Sequence, residues 1–423
     1  MIIKIRPSQV NGSLDAPASK SMTHRALICA ALAKGESYVQ SPLISDDTDA
    51  TKRILESLGV KIEDTLNGYL ISGGTFKVPL EDLYCGESGT TMRLMTAICA
   101  LVDDQCKLTG GIGLSKRPIG QLLDGLIQLG VECTSEGGYP PVTVNGTGRL
   151  KGGVVEIQGD VSSQYISALL LVAPNAEDQI DIMLTTALES KPYVYMTMDV
   201  QRVFGVDVKS SKSMDHFTIT PQTYASVEYT VEGDWSSASY MLAAGALTGE
   251  VSLGNLNQAS NQADAVIYNI LQDMGAGIWQ TEHGVTISEN SLHAIDINLS
   301  DSPDLFPMIA ALCSQASGVS TLRGLRRLKY KESNRVESMA EGLKSMGVKF
   351  TKNDDIMNIT GGETTGSIIC PYNDHRIAMA FAVLALTSKG ETTIQDAECV
   401  SKSYPNFWDD LRRLGANIEV QEK

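Results

Sequence analysis

The chain has 423 residues, enough for two or three domains at roughly 100–200 residues each. Hydrophobic residues make up 43% and charged ones 20%, an ordinary balance for a folded protein with a sizeable core, while 34 basic against 50 acidic residues leave a net charge of −16. That acidity excludes a sequence-independent nucleic-acid surface, and apolar runs of about ten residues, such as 377–386, fall short of the ~20 that span a bilayer.

The opening MIIKIRPSQVNG has no secretory apolar segment. Cysteines at 29, 85, 99, 106, 133, 313, 370 and 399 form no CxxC pair, so reduced thiols and a cytoplasmic location are expected. Most of these cysteines lie in apolar runs and read as buried filler.

In chain order, two kinds of helix then alternate. SKSMTHRALICAALA is followed by a segment ending ILESLGV, ESGTTMRLMTAICAL by LIQLGV, and SSQYISALLLVA by QRVFGV. DWSSASYMLAAGAL precedes LQDMGA, SPDLFPMIAALC precedes LKSMGV, and NDHRIAMAFAVLAL precedes LRRLGA. The first member of each pair is apolar nearly all round, which predicts a buried helix. The second ends on Gly59, Gly130, Gly205, Gly275, Gly347 or Gly415, spaced 71, 75, 70, 72 and 68 residues apart. A glycine there predicts a left-handed residue closing an outer helix. Short alternating stretches follow, such as VKFTKNDD then IMNITG, which read as two strands and a turn. Each repeat is therefore a βαβαββ unit. Six buried helices cannot share one small core, so two bodies of three units are expected. A single solenoid would need polar capping repeats at its ends.

The chemistry is expected at the buried helices' N-termini, whose N–H groups and positive dipole ends bind phosphates and carboxylates. Lys20, Arg25, Arg93 and Arg376 cluster there although the dipole disfavours cations, which points to an anionic ligand. Arg117, Lys191, Lys331, Arg335 and Lys402 fall 13, 14, 16, 12 and 13 residues before their unit's glycine. That recurrence predicts a convergent basic pocket. Ser162, Ser163 and Gln164 suit phosphate oxygens, whereas Ser236 and Ser237, with no cation nearby in sequence, read as a structural cap. Asp304 opens a buried helix, as either a cap or a base, and Glu332 adjoins Lys331. No Walker loop, HExxH, GxSxG or zinc-ligand cluster appears, GGIGLSK lacks phosphate-loop spacing, and the five histidines are far apart. Chemistry without metal or cofactor is expected.

With SKSMTHRAL, GESGTTMR, KRPIGQL, VSSQY, SKPYV, VEGDWSSASY, SPDLFPM, KYKESNR, NDHRIAM and SKSYPNFW in order along its length, the chain resembles the 3-phosphoshikimate 1-carboxyvinyltransferase (EPSP synthase) family of the enolpyruvyl transferase superfamily. The resemblance implies an α/β fold of two globular domains, each of three βαβαββ repeats around buried parallel helices (an inverse α/β barrel), closing over a cleft. One domain would be 1–17 with 233–423, including the N-terminal strand; the other would be 18–232. The implied reaction transfers the enolpyruvyl group of phosphoenolpyruvate to the 5-hydroxyl of shikimate 3-phosphate, releasing phosphate through a tetrahedral intermediate, on the route to chorismate and aromatic amino acids. The implied partners are these two small molecules, with no nucleic acid and no membrane, and the implied state is a monomer.

Carried over motif by motif, the resemblance gives Lys20, Ser21, Arg25, Ser162, Ser163, Gln164, Ser190, Tyr193, Asp304 and Lys331 to shikimate 3-phosphate. It gives Lys20, Gly89, Arg93, Arg117, Gln164, Arg335, Arg376 and Lys402 to phosphoenolpyruvate. Asp304 would be the base for the hydroxyl and Glu332 would handle the C3 proton, with Lys20 as the third catalytic group. Glycine at 89 implies sensitivity to the inhibitor glyphosate. Two positions depart from the family pattern. Glu87 stands where Asn is frequent, and would turn outward or pair with a neighbouring cation. Arg327 stands where Asn often precedes KES, so no substrate contact is carried over to it. The sister UDP-N-acetylglucosamine enolpyruvyl transferase typically uses a loop Cys, absent from LTGGIGLSKRPIG. A catalytically silent anion-binding protein would have a decayed pocket.

Overall fold

Twelve helices and six small sheets appear in the computed structural model, which describes residues 1–282 and 284–421. His283, one of the five histidines weighed as metal ligands, lies outside them. The helices are α1 (Lys20–Leu32), α2 (Asp46–Ser57), α3 (Gly89–Cys99), α4 (Gly120–Gln128), α5 (Ser163–Val172), α6 (Lys191–Val203), α7 (Trp235–Thr248), α8 (Ile267–Asp273), α9 (Phe306–Gln315), α10 (Arg335–Ser345), α11 (His375–Ala385) and α12 (Phe407–Arg413). Odd-numbered helices are the expected buried ones. Every residue of α11 is buried, and in α7 only Leu247 is not. Even-numbered helices are amphipathic: α2 buries Ile54 and Leu55 and opens on Asp46, Asp47 and Asp49, favourable at an N-terminus.

All six outer helices end alike. Gly59 at φ 86° donates its N–H to Glu56 O, and Val60 reaches back to Leu55 O. The same bond pair recurs at Gly130, Gly205, Gly275, Gly347 and Gly415, all with φ between 80° and 111°. These are Schellman closures, and a side chain there would resist the left-handed backbone.

Each sheet has four strands in one order, with the first strand parallel to the second and the rest antiparallel. Two compact units divide the chain: Met1–Ser19 with Glu232–Lys423, and Lys20–Val231. The contiguous unit holds the sheets centred on Gly35–Gln40, Gln105–Thr109 and Ile180–Leu184, and α3 packs on α5 in its core. In the discontinuous unit α7, α9 and α11 pack pairwise within one apolar core that includes Trp235, Phe306, Phe381 and Phe407.

The N-terminal segment supplies two strands where one was expected, and they serve different sheets. Asn11–Asp15 runs parallel to Glu250–Gly254. Ile2–Arg6 lies between Thr392–Ile394 and Asn417–Gln421, with Ile3 opposite Ile394 and Val420. Its alternation buries Ile3 and Ile5. Within this same unit Ala18 bridges Gly233. All eight cysteines are free, with Cys133 and Cys370 half-buried and the others buried.

Candidate active site

In the contiguous unit the predicted residues gather at the starts of α1, α3, α5 and α6. Lys20 opens α1, and its Nζ donates to Asp47 Oδ2 at 2.8 Å. One turn on, Arg25 is 3% exposed. Its guanidinium donates to Thr197 Oγ1 (2.8 Å), Ser21 O (2.8 Å) and Tyr193 O (3.0 Å), with Ser167 Oγ at 3.5 Å. All of these acceptors are neutral, and burial lowers its pKa to about 10. A buried cation without a carboxylate among the described residues gains from an anion. Between these cations His24 is held neutral by burial, then by Lys20 and Arg25, so it carries no charge into the cluster.

Ser88 caps α3 by accepting from Thr91 N–H, and Ser162 caps α5 by accepting from Gln164 N–H. The Gln164 amide donates to Thr90 Oγ1 at 3.0 Å, tying the two helix starts together. Arg93 donates to Gly89 O (3.0 Å) and Pro118 O (3.1 Å), its guanidinium 5.8 Å from the Tyr165 ring centre. A Cβ built on Gly89 would overlap Arg93 Nη1 and sit 2.5 Å from Arg117 Cζ. Two arginine heads therefore converge over a residue with no side chain. Ser190, ahead of α6, is buried at φ 56°, a conformation of the kind concentrated at functional sites.

The discontinuous unit holds a charge cluster around Asp304. Its Oδ1 accepts from Lys331 (3.2 Å) and Arg335 (2.6 Å), and its Oδ2 from Arg376 (3.0 Å). Arg335, 1% exposed, also donates to Asp374 (2.9 Å) and Glu332 (2.5 Å). Burial alone would lift the Asp304 carboxyl, but Arg376, Lys331 and Arg335 hold it well below the usual range. Burial pushes the Lys331 ammonium down against the attraction of Asp304. Lys402 is buried with its Nζ on Asn373 O at 2.6 Å.

Behind this cluster sits a carboxylate the sequence did not single out. Ser302 Oγ donates to Ala263 O at 2.9 Å, fixing the turn that carries Asp264 beside the Asp304 turn. Arg376 donates to Ser236 Oγ, and the buried Oδ1 of Asp264 has no hydrogen-bond partner among the described residues. Burial, then the charge of Asp304, pushes Asp264 up to about 7, with Arg376 opposing. The folded state thus binds the extra proton between pH ~4 and ~7, so stability falls as pH rises through that window. Asp304 has the opposite sign: its contribution is present above the ordinary carboxyl range and is lost as acid protonates it. Asp264→Asn removes the buried charge with little change of shape. Its melting temperature is expected to exceed wild type by roughly 2–6 °C at pH 8, with the gain shrinking as pH falls from ~7 and gone near pH ~4, read by calorimetry across pH.

Several expectations change in detail. Ser236 is no cap: Asp234 caps α7 through Ser237 N–H, and the cation that seemed missing beside Ser236 is Arg376. Asp304 is no cap either, since both of its oxygens end on cations. Glu87 turns inward and among the described residues pairs with no cation; its carboxylate accepts from Gly113 N–H (3.2 Å) and Leu114 N–H (2.8 Å). Arg327 donates to Ser300 O at 2.7 Å. Sequence reasoning passed over Asp47, Thr197 and Asp374, which hold Lys20, Arg25 and Arg335 in place, and the buried Asp264. Asp374 stood inside the quoted NDHRIAM motif, and Asp47 in an acidic helix start.

Among the described residues no group of three or more His, Cys, Asp or Glu is placed to hold a metal ion. No helix there is long and apolar enough to cross a membrane.

The family profile of EPSP synthase (3-phosphoshikimate 1-carboxyvinyltransferase) matches residues 5–411. A 3-phosphoshikimate 1-carboxyvinyltransferase of Dehalococcoides mccartyi is 42% identical over 420 residues, covering 99% of both chains. One of Methanocorpusculum labreanum is 42% identical over 425 residues and covers both chains fully. Among solved structures, EPSP synthase of Acinetobacter baumannii superposes with a TM-score of 0.84 at 30% identity, covering 100% of each chain. The enolpyruvyl transferase NikO of Streptomyces tendae shares the fold, with a TM-score of 0.77 at 17% identity over 99% of this chain and 98% of that one. On profile, full-length identity and fold together, the chain belongs to the EPSP synthase family.

Proposed function

We infer that this chain transfers the enolpyruvyl group of phosphoenolpyruvate to the 5-hydroxyl of shikimate 3-phosphate and releases phosphate, a step in aromatic amino-acid biosynthesis. The observation that carries the reading is the Asp304 cluster: a buried carboxylate kept ionised by Lys331, Arg335 and Arg376. Such a group accepts a proton from a hydroxyl, and the surrounding cations match a substrate bearing phosphate and carboxylate.

In the first step the 5-oxygen bonds to C2 of phosphoenolpyruvate, its proton passes to Asp304, and C3 gains a proton. The proton for C3 comes from an ammonium, Lys331 or Lys20, while Glu332 stands beside Arg335 at 2.5 Å. In the second step Glu332 takes a proton from C3, the C2–C3 double bond re-forms, and the C2–O bond to phosphate breaks. Arg25, Ser162, Ser163, Ser190 and Gln164, with Ser21 and Tyr193 beside them, hold shikimate 3-phosphate. Gly89, Arg93, Arg117, Arg335, Arg376 and Lys402 hold phosphoenolpyruvate. Buried Arg25, facing only neutral acceptors, supports the phosphate assignment.

The test is phosphate release from phosphoenolpyruvate with shikimate 3-phosphate in one reaction and UDP-N-acetylglucosamine in another. Release is expected with shikimate 3-phosphate alone. Release only with the nucleotide sugar would overturn the acceptor, and release with neither would leave an anion-binding protein.

A further inference from the structure

Glu87 lies two residues before Gly89, over which the heads of Arg93 and Arg117 converge, yet it pairs with no cation among the described residues. Both of its oxygens go to backbone N–H groups of Gly113 and Leu114. The loop is shaped around that carboxylate. A Cβ on Gly111 would overlap Glu87 Oε1, and one on Gly113 would come to 2.6 Å from Oε2. Upstream, Gly111 N–H donates to Gly86 O at 2.8 Å, continuing the pairing of strands Leu83–Tyr84 and Gln105–Thr109. Downstream, the 3-10 turn Leu114–Lys116 delivers Arg117 with its N–H on Leu114 O at 3.0 Å. A carboxylate accepting two N–H groups is a strong anchor, because ionised acceptors roughly double a hydrogen bond's strength.

We propose that Glu87 is a positioning residue for phosphoenolpyruvate: it clamps the 110–117 loop so that Arg117 stays beside Arg93 over Gly89. The proposal rests on the enolpyruvyl-transfer reading given above. It also explains how a negative side chain is tolerated beside an anion site. Its charge is spent on the loop's N–H groups and does not face the substrate.

The opposing arrangement, a carboxylate pointing at the substrate, predicts the reverse sign, which makes the test decisive. Steady-state kinetics would be run on wild type, Glu87→Gln, Glu87→Ala, Gly113→Ala and the Glu87→Ala/Gly113→Ala double variant, varying each substrate in turn. For Glu87→Ala the KM for phosphoenolpyruvate is expected to rise about tenfold, with kcat within about twofold and the KM for shikimate 3-phosphate unchanged. Glu87→Gln, which keeps one acceptor oxygen, should show a smaller rise of about threefold. Gly113→Ala should raise the same KM in the wild-type background and have little further effect once Glu87 is alanine, because the two act through one contact.

A lower KM in Glu87→Gln would mean that the carboxylate repels the substrate, and would overturn the proposal. An unchanged KM, effects of Glu87 and Gly113 that simply add, or equal losses for both substrates would overturn it as well. Should Glu87→Ala fail to fold, Glu87→Gln and Gly113→Ala still decide the sign. A wild-type protein inert with both substrates would remove the function and this inference together. An active wild type whose phosphoenolpyruvate KM ignores Glu87 removes the inference alone.

Discussion

Asp304→Asn should retain its fold and lose turnover, with kcat falling by ~10²–10⁴-fold, the range for a displaced general base. The substitution keeps an acceptor oxygen toward Lys331 and Arg335 but removes the charge that balances them and Arg376. The same three cations then have less to hold them, so the KM for phosphoenolpyruvate should stay level or fall. A purely structural Asp304 would instead raise KM, lower kcat and depress the melting temperature in parallel. Because the cluster holds Asp304 well below the ordinary carboxyl range, its protonation cannot shape activity near neutrality. Wild-type kcat should therefore show no Asp304-dependent loss from pH 8 down to pH 5, which a pH series against Asp304→Asn would check.

Gly89→Ala carries the second large effect. The new methyl would displace the guanidiniums of Arg93 and Arg117, both buried and therefore slow to find other space. Overpacking of one methyl costs about 1–3 kcal/mol, or roughly 5–150-fold in affinity if it falls on a bound anion. Phosphoenolpyruvate KM should rise toward the low end of that range. On the proposed site glyphosate, a longer dianion, would share these arginines and should lose inhibition toward the high end. Inhibition curves at matched phosphoenolpyruvate saturation give the comparison. Equal inhibition of variant and wild type would show that Gly89 does not border the inhibitor.

What could be read directly from the residues was what local chemistry specifies. Six glycines at one repeat position announced six Schellman closures, because the left-handed residue is chosen within a single turn of helix. Apolar runs announced the buried helices for the same reason, and cations at helix starts marked the site because they oppose the local dipole. The partners of those cations were hidden. Asp47 stands 27 residues from Lys20, and Asp374 stands 39 from Arg335. Such pairs are created by how sheets and helices pack, and no spacing rule connects them. Glu87 was misread for a related reason. A carboxylate near arginines suggested an ion pair, whereas its acceptor geometry was set by backbone N–H groups 26 and 27 residues later. Asp304 stayed ambiguous between cap and base until Lys331, Arg335 and Arg376 were seen to converge on it.

The strand Ile2–Arg6, seated between Thr392–Ile394 and Asn417–Gln421, sets a schedule for biosynthesis. Ile2–Arg6 leaves the ribosome about 390 residues ahead of the first strand that flanks it. At about 5–20 residues per second, that wait is roughly 20–80 s. Throughout it Ile3 and Ile5 have no sheet to enter. The contiguous stretch 20–231 has no such dependence and can complete its three sheets while the remainder is still being translated. A nascent chain stalled before Asn417 would therefore carry one finished body and one open edge, the form most exposed to aggregation and to proteases.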